Sequence, residues 1–181
     1  MPDMRTVVLV DDHGNPTGSA PRDTVHGFDT PLHLAFSCYL FDADGRVLLS
    51  RRALTKKTWP GVWTNSFCGH PGWGEATPEA IERHARLELG VSVSEIRAIL
   101  PDFRYRAVDA QGMVENEICP VFVATTHDAI DANPDEVAQW AWVDPHDMVA
   151  AITATPAVFS QWSVLHVQQA ATLIVSAGVG A

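Results

Sequence analysis

Apolar runs flanked by turn residues predict several strands along this chain. The runs cover Val7–Val10, Leu34–Phe41, Val47–Leu49, Val114–Val123 and Val137–Val143. The turn sequence Asp42–Gly45 lies between the second and third runs and predicts a hairpin. Strands therefore occupy the beginning of the chain and return after its middle.

A helical spacing separates these two groups of strands. Four residues recur at intervals of three and four and so share one face of a helix: Ile81, His84, Ala85 and Glu88. Glu88 is therefore expected to point toward the same interior as its apolar neighbours.

The ends of the predicted helices carry recognisable signals. Thr77 is expected to cap the first helix, with Pro78 at its first position and Gly90 at its end. Asp144 begins a second helix, and residues from about 159 to 176 form the last one. This order of strands, helix, strands and helices predicts an α+β fold with a mixed sheet.

Composition restricts the class of protein. The 181 residues are enough for a single domain, expected over 1–181, with a substantial core. The net charge of -10 argues against nucleic acid or an anionic membrane as partner. No long apolar run or signal segment is present, which predicts a cytoplasmic protein without a membrane span. Cys38, Cys68 and Cys119 are too scattered for a disulfide framework and are expected to be reduced.

Cys68 stands directly ahead of an incomplete diphosphate-binding motif. The Nudix box, a glycine and a glutamate followed by a carboxylate-rich helix, is matched by Gly69, Glu75, Arg83, Glu88, Gly90 and Val91. His84 and Leu87, however, replace two of the carboxylates with which a Nudix hydrolase collects its metal ions. The box therefore indicates the fold, and the adjacent thiol suggests different chemistry on the same kind of substrate.

Several further segments point to one family. The stretch Trp59–Pro71 contains Cys68, and it is followed by Pro101–Ala107, by Glu115–Glu117 and by Cys119–Pro120. In this order, the segments resemble the type 1 isopentenyl-diphosphate isomerases over roughly residues 7–162. The resemblance implies a Nudix-like α/β/α sandwich with a mixed sheet, followed by a C-terminal helix to about residue 176.

A cluster of metal-ligating residue types accompanies this resemblance. Glu115 and Glu117 are two apart on a predicted strand, so both carboxylates lie on one face. Taken one at a time, such residues are more often part of a solvated surface than of a metal site. The resemblance assigns both, with His26, His33 and His70, as ligands of one metal ion. Imidazoles with carboxylates suit Zn, Mn or Fe better than Mg, so one Mn²⁺ or Zn²⁺ is expected.

The resemblance implies that a second ion, Mg²⁺, binds together with the diphosphate. Glu88 and the main-chain carbonyl of Cys68 are its expected ligands. Arg22, Arg52 and Lys56 match the basic positions that receive the diphosphate oxygens, although the residues alone also fit a solvated basic face. His84 stands near a further basic position of the family, where a neutral imidazole would weaken the contact.

The implied reaction interconverts isopentenyl diphosphate and dimethylallyl diphosphate. It delivers a proton to a terminal alkene carbon and removes another, through a tertiary carbocation. Cys68 and Glu117 match the family's acid and base, and a metal beside Glu117 would orient that carboxylate and acidify a proton on it. Tyr105 is expected to hydrogen-bond into the site. The indole of Trp162 is expected to face the cation, a contact worth about 2 kcal/mol when desolvated.

Two other functions compete with an isomerase of isoprenoid synthesis. A Nudix hydrolase of a nucleoside or isoprenoid diphosphate needs the carboxylate-rich helix that His84 and Leu87 interrupt. A catalytically inactive Nudix domain that only binds a metal or ligand would make the pair of Cys68 and Glu117 dispensable. Since that pair is intact, we predict an isomerase that acts on a small diphosphate.

Overall fold

The computed structural model describes residues 6–178, so the expected domain's outermost residues, 1–5 and 179–181, lie outside the described part. The strands are β1 (Thr6–Val10), β2 (Pro16–Pro21), β3 (His33–Leu34), β4 (Phe36–Phe41), β5 (Val47–Arg52), β6 (Trp63–Thr64), β7 (Phe67–Gly69), β8 (Ser94–Leu100), β9 (Arg104–Val108), β10 (Val114–Ile118), β11 (Val121–Thr125) and β12 (Val137–Val143). The helices are α1 (Arg22–Val25), α2 (Thr77–His84), α3 (Pro145–Ala154) and α4 (Gln161–Ala177). Among residues 6–178, no helix combines the length and apolar character that a bilayer span requires.

The strands form two mixed sheets. The first has the order β2-β1-β3-β10-β9, and the second has the order β12-β5-β4-β11-β8, with β6 beside β5 and β7 beside β4. Each sheet contains one parallel pair, β3 with β10 and β4 with β11, and its other pairs are antiparallel. The mixed pairing expected from the sequence is therefore confirmed, with two sheets in place of one.

Strand β4 separates the two halves of the core. Phe36, Cys38 and Leu40 point to one side and pack in a cluster with the apolar face of α2. Tyr39 and Phe41 point to the other side and pack in a cluster with α3 and α4. All five side chains are buried, and a large apolar one contributes about 1.5–3 kcal/mol by leaving water. Helices therefore cover both faces of this sheet, as in the α/β/α sandwich that the resemblance implies.

The prediction of one strand over Val114–Val123 is wrong. The run divides at Cys119 and Pro120 into β10 and β11, which belong to different sheets. Pro120 has no N–H for a ladder, and its carbonyl accepts a hydrogen bond of 3.1 Å from the Ser37 amide. The Cys119 amide donates instead to the Phe103 carbonyl, at 2.9 Å. This break places the acidic strand β10 in the first sheet while the chain continues into the second.

The helix ends follow the sequence signals in two of three cases. The cap of α2 is Ala76, without a side-chain hydrogen bond, so the prediction of Thr77 as the cap is wrong. Gly90 ends this helical segment with a φ of 69°, as predicted. Asp144 caps α3 as predicted, because its carboxylate accepts a hydrogen bond of 2.7 Å from the His146 amide.

Gly90→Ala is expected to lower the free energy of unfolding more than Gly74→Ala does. Both glycines have a positive φ, 69° and 72°, which costs a non-glycine residue about 1–2 kcal/mol. A Cβ at Gly90 would also lie 2.7 Å from the carbonyl oxygen of Asp131, whereas one at Gly74 would meet no atom within 4 Å. Urea denaturation of both variants measures the difference, and equal losses would contradict the packing at Gly90.

Candidate active site

A cavity of about 410 Å³ is lined by residues of both sheets and of the loops around them. It collects all the predicted site residues except His33: Arg22, His26, Arg52, Lys56, Cys68, His70, Glu88, Tyr105, Glu115, Glu117 and Trp162. His33 is fully buried, and its Nε2 lies 3.4 Å from Glu117 Oε1, so it adjoins the cavity through that carboxylate. The fold therefore brings together residues from seven separate stretches of the sequence.

Three imidazoles and one carboxylate meet at the wall of this cavity. His26, His33, His70 and Glu117 each offer a ligand atom within 4.8 Å of the others. The parallel pairing of β3 with β10 places His33 directly beside Glu117. His33 Nδ1 lies 2.9 Å from the carbonyl oxygen of Pro31 and can donate to it, which leaves Nε2 directed toward Glu117.

Glu115 lies next to this group of four. It shares one face of β10 with Glu117, as the alternation of a strand predicts, and its Oε2 lies 2.9 Å from His26 Nε2. Both carboxylates are buried. The structure thus brings all five predicted ligands together, with Glu115 in contact with the group through His26.

Unpaired buried atoms show that this cluster suits a cation. His26 Nε2, His33 Nε2, His70 Nδ1 and Glu115 Oε2 are buried without a hydrogen-bond partner among the described residues, since the close contacts of His26 with Glu115 and of His33 with Glu117 lack hydrogen-bond geometry. Each such atom costs about 1–3 kcal/mol if nothing satisfies it. A divalent metal ion bound by these donors would remove that cost, and imidazole with carboxylate is a donor set that Zn²⁺ and Mn²⁺ accept.

The protonation of the cluster also favours a cation. Burial opposes charge on Glu117, but the adjacent imidazoles of His33 and His70 hold the pKa of this carboxyl well below its usual range. Burial lowers the pKa of His70 to about 3. An ionised carboxylate and a neutral imidazole are the forms in which these side chains bind metal ions.

The Nudix-like helix supplies one further carboxylate to the cavity. After α2, the chain continues in a π-helical turn, Ala85–Leu89, which carries the buried Glu88. His84 Nδ1 lies 2.7 Å from Glu88 Oε1. Burial opposes ionisation of Glu88, but the hydrogen bond and charge of His84 hold its pKa below the usual value. Leu87, in contrast, is half exposed and does not line the cavity.

His84 requires the glycine that opens the Nudix-like box. A Cβ at Gly69 would lie 2.6 Å from three atoms of the His84 ring, so no larger residue fits there. The imidazole therefore packs against the backbone of β7 while it holds Glu88. His84 does not line the cavity, so it supports a carboxylate in this structure.

The remaining charged pair of the box braces the loop that carries His70. Arg83 donates from Nε and Nη2 to the two carboxylate oxygens of Glu75, at 2.8 and 2.7 Å. The same Nη2 donates to the His70 carbonyl at 3.1 Å, and Glu75 accepts from the Gly72 amide at 2.6 Å. This bidentate pair fixes the loop between β7 and α2, and with it the position of one imidazole.

Two of the three predicted diphosphate ligands already have partners within the protein. Lys56 forms an ion pair with Glu136, which also lines the cavity. Arg52 donates to the Thr58 carbonyl from Nε and Nη2, at 3.1 and 2.9 Å, and its guanidinium carbon lies 5.4 Å from the Trp162 ring centroid. Arg22 lines the same cavity from α1. The three predicted basic side chains thus line one cavity together with several carboxylates, in a chain whose net charge is -10.

Cys68 is held on β7 with its sulfur toward the cavity. Its Sγ lies 3.3 Å from Ser37 Oγ on the paired strand β4, and the thiol donates to Asn65 Oδ1 at 3.4 Å. Burial raises the pKa of this thiol to about 11. The resting thiol therefore keeps its proton at neutral pH.

Tyr105 and Trp162 form an aromatic wall beside these groups. Tyr105 pairs with Glu117 across β9 and β10, and burial raises the pKa of its phenol well above the usual value. Trp162 is 2% exposed, and its ring centroid lies 5.9 Å from that of Tyr105. Its indole Nε1 donates to Asn65 Oδ1 at 3.0 Å.

Three residues in the wall of the cavity or directly behind it are not predicted from the sequence. Glu136 lies in a loop before β12 without any spacing that relates it to Lys56. Ser37 stands in an apolar strand, where a serine carries no functional signal. Asn65 lies within the Trp59–Pro71 segment, and that position is the one available sign of a role in the site.

Solved structures share this architecture. A protein from Deinococcus radiodurans superposes with a TM-score of 0.67 at 20% identity, over 91% of this chain and 98% of its own. A MutT NUDIX hydrolase from Burkholderia pseudomallei has a TM-score of 0.57 at 23% identity, over 76% of this chain and 97% of its own. At these identities, the similarity establishes the Nudix fold alone.

Sequence comparison establishes the family. The NUDIX domain family matches residues 31–165. Proteins named isopentenyl-diphosphate Delta-isomerase are 58% identical in Paenarthrobacter aurescens, over 86% of this chain and 85% of the relative, and 56% identical in Clavibacter sepedonicus, over 88% and 84%. The relative of that name from Citrobacter koseri is 52% identical over 88% of each chain. The chain therefore belongs to the isopentenyl-diphosphate Delta-isomerase family of NUDIX domain proteins.

Proposed function

We propose that this protein interconverts isopentenyl diphosphate and dimethylallyl diphosphate. One observation carries the proposal: a single cavity holds the Cys68 thiol, the Glu117 carboxylate and an aromatic wall, with cations for a diphosphate around them. The names of its relatives agree with this activity. The cavity, at about 410 Å³, is of the size that encloses a small molecule.

Cys68 and Glu117 are the proposed acid and base. The thiol retains its proton because burial raises its pKa to about 11, whereas the pKa of Glu117 lies well below its usual range. The pair therefore holds one proton between its two members. In each direction, one member donates to the alkene and the other accepts the proton that leaves the carbocation, so the number of protons on the enzyme is conserved.

The aromatic wall is the proposed stabiliser of the carbocation. The π face of an indole attracts a positive charge that has left water, by about 2 kcal/mol or more. Trp162 and Tyr105 stand together at the cavity, and Tyr105 lies beside Glu117 on the neighbouring strand. Burial keeps the Tyr105 phenol protonated, so it is able to donate a hydrogen bond into the site.

The diphosphate is proposed to bind Arg22, Arg52 and Lys56. An Arg guanidinium offers a bidentate fork and a Lys ammonium offers a point charge. Glu88 and the main-chain carbonyl of Cys68 are the proposed ligands of Mg²⁺ carried by the diphosphate, since Mg²⁺ prefers oxygen donors. Lys56 must exchange its ion pair with Glu136 for the substrate.

The cluster of His26, His33, His70, Glu115 and Glu117 is the proposed site of one Mn²⁺ or Zn²⁺ ion. Its unpaired buried nitrogens and oxygen support this assignment. When bound there, such an ion withdraws charge from Glu117 and fixes its orientation. His70 Nε2 lies within hydrogen-bond distance of the same carboxylate, at 3.3 Å, and His33 Nε2 contacts it at 3.4 Å, so Glu117 is aligned from two sides.

Hydrolysis of the diphosphate lacks support in this cavity. His84 occupies one of the two carboxylate positions of the Nudix box and binds Glu88, while Leu87 occupies the other and points to solvent. Glu88 is therefore left without the neighbouring carboxylates that would collect several ions to activate water.

In deuterated water with Mg²⁺, the enzyme should convert isopentenyl diphosphate with deuterium entering the methyl group formed from the terminal alkene carbon. Neither phosphate nor pyrophosphate should appear, because the reaction moves a proton and the double bond and breaks no phosphorus–oxygen or carbon–oxygen bond. Mass spectrometry of the product and a phosphate assay test both statements. Phosphate release at the rate of substrate loss, without deuterium on carbon, would instead establish a hydrolase.

Cys68→Ala and Glu117→Gln should each reduce turnover by about 10²–10⁴-fold, because each removes one member of the acid and base pair. Cys38→Ala is the matched control, since Cys38 is fully buried and does not line the cavity. Circular dichroism checks the fold, and metal content is measured for Glu117→Gln. Turnover of either site variant near that of Cys38→Ala would reject its assigned role.

His33→Ala should remove tightly bound transition metal and activity together, because His33 belongs to the buried cluster. Glu88→Gln should leave that metal in place and raise the Mg²⁺ concentration needed for activity. Elemental analysis of the purified proteins and Mg²⁺ titrations separate the two sites. A fully active wild-type sample without transition metal would refute the proposed five-residue site.

A further inference from the structure

We infer that Asn65 is a positioning residue that fixes the positions of the Cys68 thiol and the Trp162 indole relative to each other. The inference deepens the proposed isomerase function and rests on it, because these two groups are its proposed acid–base sulfur and cation-facing ring. Asn65 itself does not line the cavity and is fully buried. It therefore acts through its neighbours.

The side-chain amide of Asn65 is anchored by its nitrogen. Nδ2 donates to the carbonyl oxygens of Cys38 on β4 and Phe67 on β7, at 3.0 and 2.9 Å. These two bonds use both hydrogens of the amide and tie it to two paired strands. The orientation of the amide is therefore determined, with Oδ1 on the side away from the strand carbonyls.

That oxygen faces the two groups of interest. The indole Nε1 of Trp162 donates to Oδ1 at 3.0 Å, and the Cys68 thiol donates to it at 3.4 Å. The hydroxyls of Thr64 and Ser163 lie 2.9 and 3.4 Å from the same oxygen, but each also contacts Ser160 Oγ. The Oδ1 atom thus contacts both a sulfur on β7 and an indole ring on α4. The ring belongs to Trp162, which is 97 residues after Asn65 in the sequence.

The backbone of Asn65 fastens the beginning of α4 to the same place. Its amide donates to Ser163 Oγ at 3.0 Å, and the Ser160 amide donates to the Trp63 carbonyl at 2.8 Å. Trp162 lies between these two serines, in the first turn of the helix. Its indole is consequently fixed both by the attachment of the helix and by the side chain of Asn65.

An asparagine suits this position better than its close relatives. An aspartate would direct oxygens at the Cys38 and Phe67 carbonyls, which are acceptors themselves, and would place negative charge beside the thiol. An aliphatic residue would remove the acceptor of the buried indole N–H and one donor from each of the two strand carbonyls, and a buried polar group left unsatisfied costs about 1–3 kcal/mol. The site needs two donors and an acceptor in one rigid plane.

Ser66 provides a matched control for a purely structural role. It is also fully buried, accepts from the Leu40 amide and donates to the Leu48 carbonyl, both at 2.7 Å. It is the next residue in the chain and joins the same region of the second sheet, but neither of these bonds reaches Cys68 or Trp162. Loss of its hydroxyl therefore reports the cost of disturbing this junction alone.

Asn65→Ala should lower kcat by about 10²-fold, the size of effect that a displacement of about 1 Å in a reacting group produces. KM should stay close to the wild-type value, because the diphosphate-binding cations make no hydrogen bond to Asn65. Ser66→Ala should keep kcat near that of the wild type even where it lowers the melting temperature. If Asn65→Ala does not fold, Asn65→Ser is used in the same comparison.

A spectroscopic measurement tests the contact itself. In ¹H–¹⁵N spectra, the Trp162 indole proton of the wild type should exchange with water more slowly than that of Trp73, which is 56% exposed. The resonances are assigned by Trp162→Phe and Trp73→Phe. In the Asn65 variant, the Trp162 resonance should move upfield and exchange faster, and in Ser66→Ala it should stay in place.

The outcomes separate this inference from the proposed function. Wild-type protein that puts no deuterium into substrate carbon would refute the isomerase proposal whatever the variants do. An active wild type whose Asn65 variant keeps kcat, or loses no more than Ser66→Ala, would overturn the positioning role alone. Rapid exchange of the wild-type Trp162 indole proton, at the rate of Trp73, would overturn it as well.

Discussion

The site depends on the burial of three imidazoles and two carboxylates at the wall of one cavity. Such groups are stable in a protein interior only where hydrogen bonds or a cation satisfy them. The fold brings them together through the parallel pairing of His33 with Glu117 and through the brace of Arg83 on the loop of His70. Imidazole nitrogens and a carboxylate oxygen of the cluster remain without hydrogen-bond partners among the described residues, so a cation bound there would satisfy them.

The remnant of the Nudix box serves positioning in this chain. Glu75 and Arg83 hold the loop between β7 and α2, and Gly69 leaves room for the His84 ring against Glu88. The helical segment that supplies several carboxylates to the metal site of a Nudix hydrolase thus supplies one carboxylate, Glu88, to the cavity of this protein. The change from carboxylate to imidazole at position 84 replaces repulsion beside Glu88 with a hydrogen bond of 2.7 Å.

Local signals in the sequence predict most of the fold, and their failures have physical causes. The run through Val114–Val123 continues across Cys119 and Pro120 because strands of both sheets are buried there, and apolar continuity does not reveal a change of sheet. Thr77 precedes Pro78 as a cap often does, but Ala76 takes that position without a side-chain bond.

The site, like the fold, is predicted from the sequence in part only. Every proposed ligand and catalytic side chain identified through the family resemblance lies at the cavity or directly beside it. This is expected, because the motifs occur in the same order along the chain as in the family. Asn65 and Glu136 could not be assigned, since their partners Trp162 and Lys56 are 97 and 80 residues away. Contacts across such separations depend on the packing of α4 and on the loop before β12, and neither leaves a pattern in the neighbouring residues.

The ion pair of Lys56 with Glu136 means that a carboxylate of the protein competes with an anionic ligand for the same ammonium group. Glu136 neutralises the ammonium, so an anion that binds Lys56 as proposed would have to displace a carboxylate that is already in contact with it. A singly charged ligand exchanges one ionic contact for another and gains little. With the diphosphate site proposed above, a polyanion would recover that loss at Arg22 and Arg52 as well, so Glu136 would favour ligands of high charge density without contacting them.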